Sequence, residues 1–106
     1  MGNKHILLVE YDVNLCQSIL LLLQRADYLV TAPSCVQDAM ESIQAGGYDM
    51  LIADIDEPGT REDLLTFVLH ALPALQVVVL TELSKAESEW GKIYKNLHFL
   101  VKPIAP

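Results

Sequence analysis

Apolar and polar positions along the chain follow two alternating patterns. Apolar runs of five or six residues end in polar or turn-forming residues, and between these runs the apolar residues recur every three or four positions. The first pattern is typical of strands buried on both faces, and the second is typical of amphipathic helices. The runs that predict strands are residues 4–9, 28–32, 50–54, 76–80 and 97–101.

The helical pattern fills the four segments between these strands. The first helix is predicted over about residues 13–25, the second begins at Ser34 and stops at Gly46-Gly47, the third covers about residues 61–71, and the fourth begins at Ser84. Each serine is followed three residues later by Gln or Glu, which is the pattern of a capping box.

Strands and helices therefore alternate as βαβαβαβαβ within one domain, residues 1–106. Short connections and right-handed crossovers predict an α/β fold with a doubly wound, five-stranded parallel sheet. Because a parallel sheet is covered on both faces, we expect helices on both sides of it.

Composition and charge narrow the range of possible functions. The net charge of −7 argues against direct nucleic-acid binding, which needs clustered basic residues. No apolar run is long enough to span a membrane, and the first residues lack the pattern of a signal peptide. Cys16 and Cys35 form neither a metal-binding pattern nor a disulfide framework, so we expect reduced thiols in a cytoplasmic protein.

The polar residues that follow the buried strands carry the candidate chemistry. Glu10, Asp54, Thr81 and Lys102 each stand at the carboxyl end of a predicted strand, and that edge of an open parallel sheet is where ligands bind. Carboxylates suit Mg²⁺, an ammonium and a hydroxyl suit phosphoryl oxygens, and a carboxylate can attack phosphorus. The set therefore predicts phosphoryl chemistry centred on Asp54.

With these motifs in place, the chain resembles a response-regulator receiver domain of two-component signal transduction. The matching segments are residues 6–12 (ILLVEYD), 48–59 (YDMLIADIDEPG), 77–81 (VVVLT) and 99–103 (FLVKP). The resemblance implies the flavodoxin-like strand order 2-1-3-4-5 and a phosphorelay partner, either a histidine kinase or a phosphotransfer protein, together with an output domain or protein.

The resemblance also implies roles for individual residues. Asp54 would be the phospho-acceptor, Thr81 and Lys102 would contact the phosphoryl group, and Phe99 would be the switch aromatic. Magnesium would be held by Glu10, Asp54 and Asp56, and the Lys102–Pro103 bond would be cis.

Two residues at the edge depart from the family pattern. Tyr11 stands where the family has the second of two adjacent acids, so Asp12 or Asp56 would have to replace it and we expect weak Mg²⁺ binding. Glu82 follows Thr81, where the family carries a small residue, so we expect its carboxylate to repel a phosphoryl donor.

The sequence also stops at Pro106, before the fifth helix that the family carries. The first helix is unusually rich in leucine, with Ile19-Leu20-Leu21-Leu22-Leu23. We therefore expect the chain to be a fragment of a longer protein, or else a partner or a second copy to cover this face, and without added residues we expect self-association.

These features leave two functions open. One is a receiver that accepts phosphate on Asp54, and the other is a pseudo-receiver that acts as a phosphorylation-independent interaction or dimerisation module. An enzyme is not expected, because no glycine-rich phosphate loop follows the first strand.

Overall fold

The computed structural model describes residues 3–56, 59–82 and 94–101. These residues form one five-stranded sheet with the order β2-β1-β3-β4-β5, and every neighbouring pair of strands is parallel. The predicted fold class and strand order are confirmed. The strands are β1 (His5–Val9), β2 (Leu29–Thr31), β3 (Met50–Asp54), β4 (Gln76–Thr81) and β5 (Leu97–Val101).

Three helical segments connect these strands: α1 (Val13–Arg25), α2 (Val36–Ala45) and α3 (Thr66–Ala71). A π-helical segment, Thr60–Leu65, leads directly into α3, so the predicted third helix is present but its first half is not an α-helix. The fourth predicted helix, which would begin at Ser84, and the Lys102–Pro103 bond lie outside the described residues.

Side chains cap the first two helices, and one of the two caps differs from the sequence expectation. Asp12 caps α1, because its Oδ1 accepts a hydrogen bond of 3.1 Å from the Leu15 N–H. At α2 the predicted cap, Ser34, is wrong. The helix begins one residue later than expected, so Cys35 takes the cap position and its Sγ accepts from the N–H of Asp38 at 3.4 Å. At its other end α2 stops at Gly46, as predicted, with the positive φ of 86° that glycine tolerates.

The core is divided by the sheet into a large and a small cluster. On the side of α2 and α3, strand residues pack with Ala39, Ile43, Val68 and other helical residues that are almost fully buried. On the side of α1 the cluster of buried residues is smaller and comes from the strands alone: Ile6, Leu8, Ile52 and Leu80. The two faces of the sheet are therefore covered to different extents.

Helix α1 has no buried residue, although one side of it packs on the sheet. Cys16, Ile19, Leu20 and Leu23 are partly buried against the small cluster. Two further leucines of this helix are exposed, Leu21 at 51% and Leu22 at 63%. The helix is thus apolar over more of its surface than the sheet covers.

No helix among the described residues combines the length and the apolar character that crossing a membrane requires.

We predict that Leu21 and Leu22 support self-association. Sedimentation of the unaltered protein should show a dimer or larger species at high concentration, and the double variant Leu21→Gln, Leu22→Gln should shift the equilibrium toward monomer, because it removes exposed apolar surface. Gln17→Ala with Gln24→Ala, at exposed polar positions of the same helix, is the matched control. A monodisperse monomer of the unaltered protein across a wide concentration range would contradict the prediction.

Candidate functional site

Three of the four predicted strand-end residues lie at one edge of the sheet. Asp54 is the last residue of β3, Thr81 is the last residue of β4, and Glu10 directly follows β1. The three strands are neighbours in the sheet, and each of these side chains is buried, with exposures of 2%, 0% and 3% respectively. The fourth predicted residue, Lys102, lies outside the described residues. Glu10, Asp54 and Thr81 therefore lie at one edge of the sheet, as predicted, and their side chains are buried there.

The loop after β3 fixes the carboxylate of Asp54. The N–H of Ile55 donates to the carbonyl of Leu80 at 3.1 Å, which extends the pairing of β3 and β4 by one residue. The N–H of Asp56 then donates to Asp54 Oδ1 at 2.9 Å. This is the local bond of an Asx-turn, in which an aspartate accepts from the backbone two residues later. The Asp54 side chain is thus oriented by its own loop.

The carboxylate of Asp56 joins that loop to the end of β4. Its Oδ1 accepts from the hydroxyl of Thr81 at 3.0 Å, and its Oδ2 accepts from the backbone N–H of Glu82 at 3.0 Å. From its position in the sequence Asp56 was expected to be a metal ligand, and these two hydrogen bonds were not predicted. Asp54 and Asp56 together indicate a turn. The pairing of β3 with β4, which brings Thr81 close to Asp56, depends on tertiary structure and is not visible in this local pattern.

Two residues that follow Glu10 have structural roles. Tyr11 is partly buried and packs against the large core cluster. Asp12 caps α1, and its backbone N–H also donates to Glu10 Oε2 at 3.4 Å. The carboxylate of Asp12 is therefore engaged at the first turn of a helix. Glu82, which we expected to repel a phosphoryl donor, has an exposed side chain, and its backbone N–H donates to Asp56.

Hydrogen bonds engage both oxygens of one of the three carboxylates that the resemblance assigns to magnesium. Within the part of the chain that the structure describes, no group of three or more His, Cys, Asp or Glu side chains is placed to hold a metal. Both carboxylate oxygens of Asp56 accept hydrogen bonds from β4 and the residue after it. The magnesium set of Glu10, Asp54 and Asp56 stays a prediction.

Phe99, the predicted switch aromatic, lies on β5 opposite Val79 of β4. Its ring is partly buried and packs against the large core cluster. The position is one strand away from Thr81 and two residues before Val101, the register partner of Thr81. Phe99 thus lies on the strand next to the one that ends in Thr81, and its switching role stays a prediction.

The environment of the Cys16 thiol includes the negative charge of Glu10. Burial, and then the negative charge of Glu10, raise the pKa of the Cys16 thiol above its usual value, because both disfavour the thiolate. Cys35, at the cap of α2, is exposed. The two thiols therefore sit in different environments.

Comparison with known proteins was made on sequence and on structure. No protein-family model and no curated protein matches the sequence. The fold is similar to that of the chemotaxis response regulator CheY4 of Vibrio cholerae, with a TM-score of 0.82, 23% identity and coverage of 99% of this chain and 91% of the other.

Two further solved structures are similar. The receiver domain of the Francisella response regulator 1452 has a TM-score of 0.80 at 20% identity, covering 97% of this chain and 87% of that one. The response regulator TrrA of Thermotoga maritima, solved in complex with Mg²⁺-BeF, has a TM-score of 0.76 at 23% identity, covering 95% and 88%. The chain thus has the fold of a response-regulator receiver domain.

We predict that iodoacetamide alkylates Cys16 more slowly than Cys35 near neutral pH. The thiolate is the reactive form, and a raised pKa leaves less of it. The rate at Cys16 should increase as the pH rises toward that pKa, and Glu10→Gln should accelerate it while the rate at Cys35, the internal control, stays unchanged. Peptide mass spectrometry over a time course measures both rates. Faster alkylation of Cys16 than of Cys35 would show that the assigned environment is wrong.

Proposed function

We propose that this chain is a receiver domain that accepts a phosphoryl group on Asp54 in two-component signal transduction. The observation that carries the proposal is the position of the Asp54 carboxylate. Asp54 is the last residue of the central strand β3, and its carboxylate accepts a hydrogen bond from the Asp56 N–H. The neighbouring strand β4 ends at Thr81, whose side chain carries a hydroxyl.

The chemistry that we propose is direct phosphoryl transfer. An oxygen of the Asp54 carboxylate attacks phosphorus, and the bond from phosphorus to the donor group breaks with its electron pair leaving on the donor. The product is an acyl phosphate on Asp54. Its developing charge needs hydrogen-bond donors and cations, and Thr81 and Lys102 are the residues proposed for that role.

The proposed partners follow from the same chemistry. The donor would be a phosphohistidine of a histidine kinase or phosphotransfer protein, and the domain would act in the cytoplasm. A new charge on Asp54 would draw the end of β4 toward it, with Phe99 following on β5. An output domain or protein would read that change on the surface of β5 and the predicted fourth helix.

We predict that a small phosphodonor, supplied with Mg²⁺, adds the mass of one phosphoryl group to the unaltered protein. Asp54→Asn should abolish the addition, because it removes the nucleophilic carboxylate. Asp63→Asn, an exposed acid on the neighbouring π-helical segment, is the control and should remain a substrate. Intact-protein mass spectrometry makes the measurement, and addition that survives Asp54→Asn would reject Asp54 as the acceptor.

A second candidate function is a pseudo-receiver, an interaction or dimerisation module that keeps the fold without phosphorylation. Tyr11 favours it, because this residue packs into the core where the family pattern calls for an acid at the edge. Loss of one carboxylate from a site built of very few weakens Mg²⁺ binding, so we propose that any magnesium binding by this chain is weak.

We predict that Tyr11→Asp strengthens Mg²⁺ binding, since it returns a carboxylate to the residue beside Glu10. Titration calorimetry should detect weak binding or none in the unaltered protein and measurable binding in the variant. Tyr48→Asp, at the opposite end of the sheet, controls for the added charge. Tight Mg²⁺ binding by the unaltered protein would count against the pseudo-receiver.

A further inference from the structure

The end of β4 presents two hydrogen-bond donors from consecutive residues, the hydroxyl of Thr81 and the backbone N–H of Glu82. Both donate to the same side chain, at 3.0 Å each, and each contacts a different oxygen of the Asp56 carboxylate. Two donors that hold two oxygens of one anion form an oxyanion-binding pair. In this protein the bound anion is part of the chain itself.

The donor pair is better fixed than the anion that it holds. Thr81 is fully buried, and Val79 and Leu80, which precede it on β4, are paired with β3 and largely inaccessible. Asp56, in contrast, lies in the loop after β3 and its side chain is exposed. The donors therefore stay in place with the sheet, whereas the Asp56 side chain has solvent into which it can turn.

A phosphoryl group on Asp54 would require the same donors. Asp54 pairs with Leu80, the residue before Thr81, so the oxygens of an acyl phosphate would emerge beside the donor pair. The Thr81 hydroxyl and the Glu82 amide each have a single hydrogen to donate. The Asp56 carboxylate and a phosphoryl group on Asp54 cannot both be held by full hydrogen bonds from this pair.

We propose that Asp56 is an internal oxyanion that fills the donor pair at the end of β4, and that it must turn out before an external oxyanion can bind there. In the resting domain this carboxylate ties the β3 loop to β4, as a bound phosphoryl group would. Occupation of the donor pair by Asp56 is independent of phosphorylation. We also expect phosphorylation of Asp54 to be slower and weaker than in a domain with an empty donor pair. This second expectation rests on the proposed function.

The first experiment tests occupation alone. In ¹H–¹⁵N NMR spectra, hydrogen exchange at the Glu82 amide should be roughly ten- to a hundredfold faster in Asp56→Ala than in the unaltered protein, because a hydrogen bond to a charged acceptor is lost. Inorganic phosphate should then shift the Thr81 and Glu82 amide signals in Asp56→Ala, at concentrations that leave the unaltered protein unchanged.

Two further variants make the result specific. Asp56→Asn keeps the shape of the side chain but can offer an acceptor to only one of the two donors, so its exchange rate should lie between those of the unaltered protein and Asp56→Ala. Glu62→Ala removes an exposed negative charge from the π-helical segment and touches neither donor. It should resemble the unaltered protein in both measurements.

The second experiment measures the rate at which a small phosphodonor modifies Asp54. Asp56→Ala should be modified roughly tenfold faster or more, and Glu62→Ala at about the unaltered rate. Faster exchange and phosphate binding without phosphorylation of any variant would support the internal oxyanion and reject Asp54 as an acceptor. Unchanged Glu82 exchange in Asp56→Ala, or an equal effect of Glu62→Ala, would overturn the internal oxyanion whatever the phosphorylation result.

Discussion

The parallel pairing of β1, β3 and β4 is the constraint on which the rest of the molecule depends. In this pairing Val9 lies opposite Ala53, and Ala53 lies opposite Val79. The polar residues that follow these apolar runs are brought to one edge as a result. A slip of one residue would exchange the two faces of a strand, so burial of the apolar side chains fixes the register and, with it, the position of Asp54.

That edge concentrates negative charge in a protein that is already acidic. Glu10 and Asp54 are both almost fully buried, and burial of a carboxylate is costly unless hydrogen bonds or opposite charges compensate it. Backbone N–H groups supply part of that compensation, from Asp12 to Glu10 and from Asp56 to Asp54. Backbone N–H groups beyond the strand ends therefore help to stabilise the two buried carboxylates.

Features set by residue periodicity could be predicted from the sequence, whereas those set by local geometry or distant contacts could not. The strands follow from apolar runs and turn residues, their order follows from the resemblance to receiver domains, and Asp54 follows from its place after such a run. The cap at Cys35 differs by one residue from the predicted Ser34, although serine is the stronger capping residue, and nothing in the local pattern indicates the shift. The π-helical segment Thr60–Leu65 shares its apolar spacing with an α-helix, so periodicity does not distinguish them.

The contacts of Asp56 and Tyr11 support one interpretation of this edge. A tyrosine at residue 11 packs its ring against the large core cluster and, compared with the acid of the family pattern, leaves one negative charge fewer near Glu10 and Asp54. The reduced repulsion makes it less costly for a third carboxylate, that of Asp56, to lie at the same edge. Two of the donors that hold Asp56, a hydroxyl and a backbone N–H, are neutral groups at the end of β4. Hydrogen bonds from the end of β4 and from the loop after β3 therefore help to hold the carboxylates of Asp56 and Asp54 at this edge.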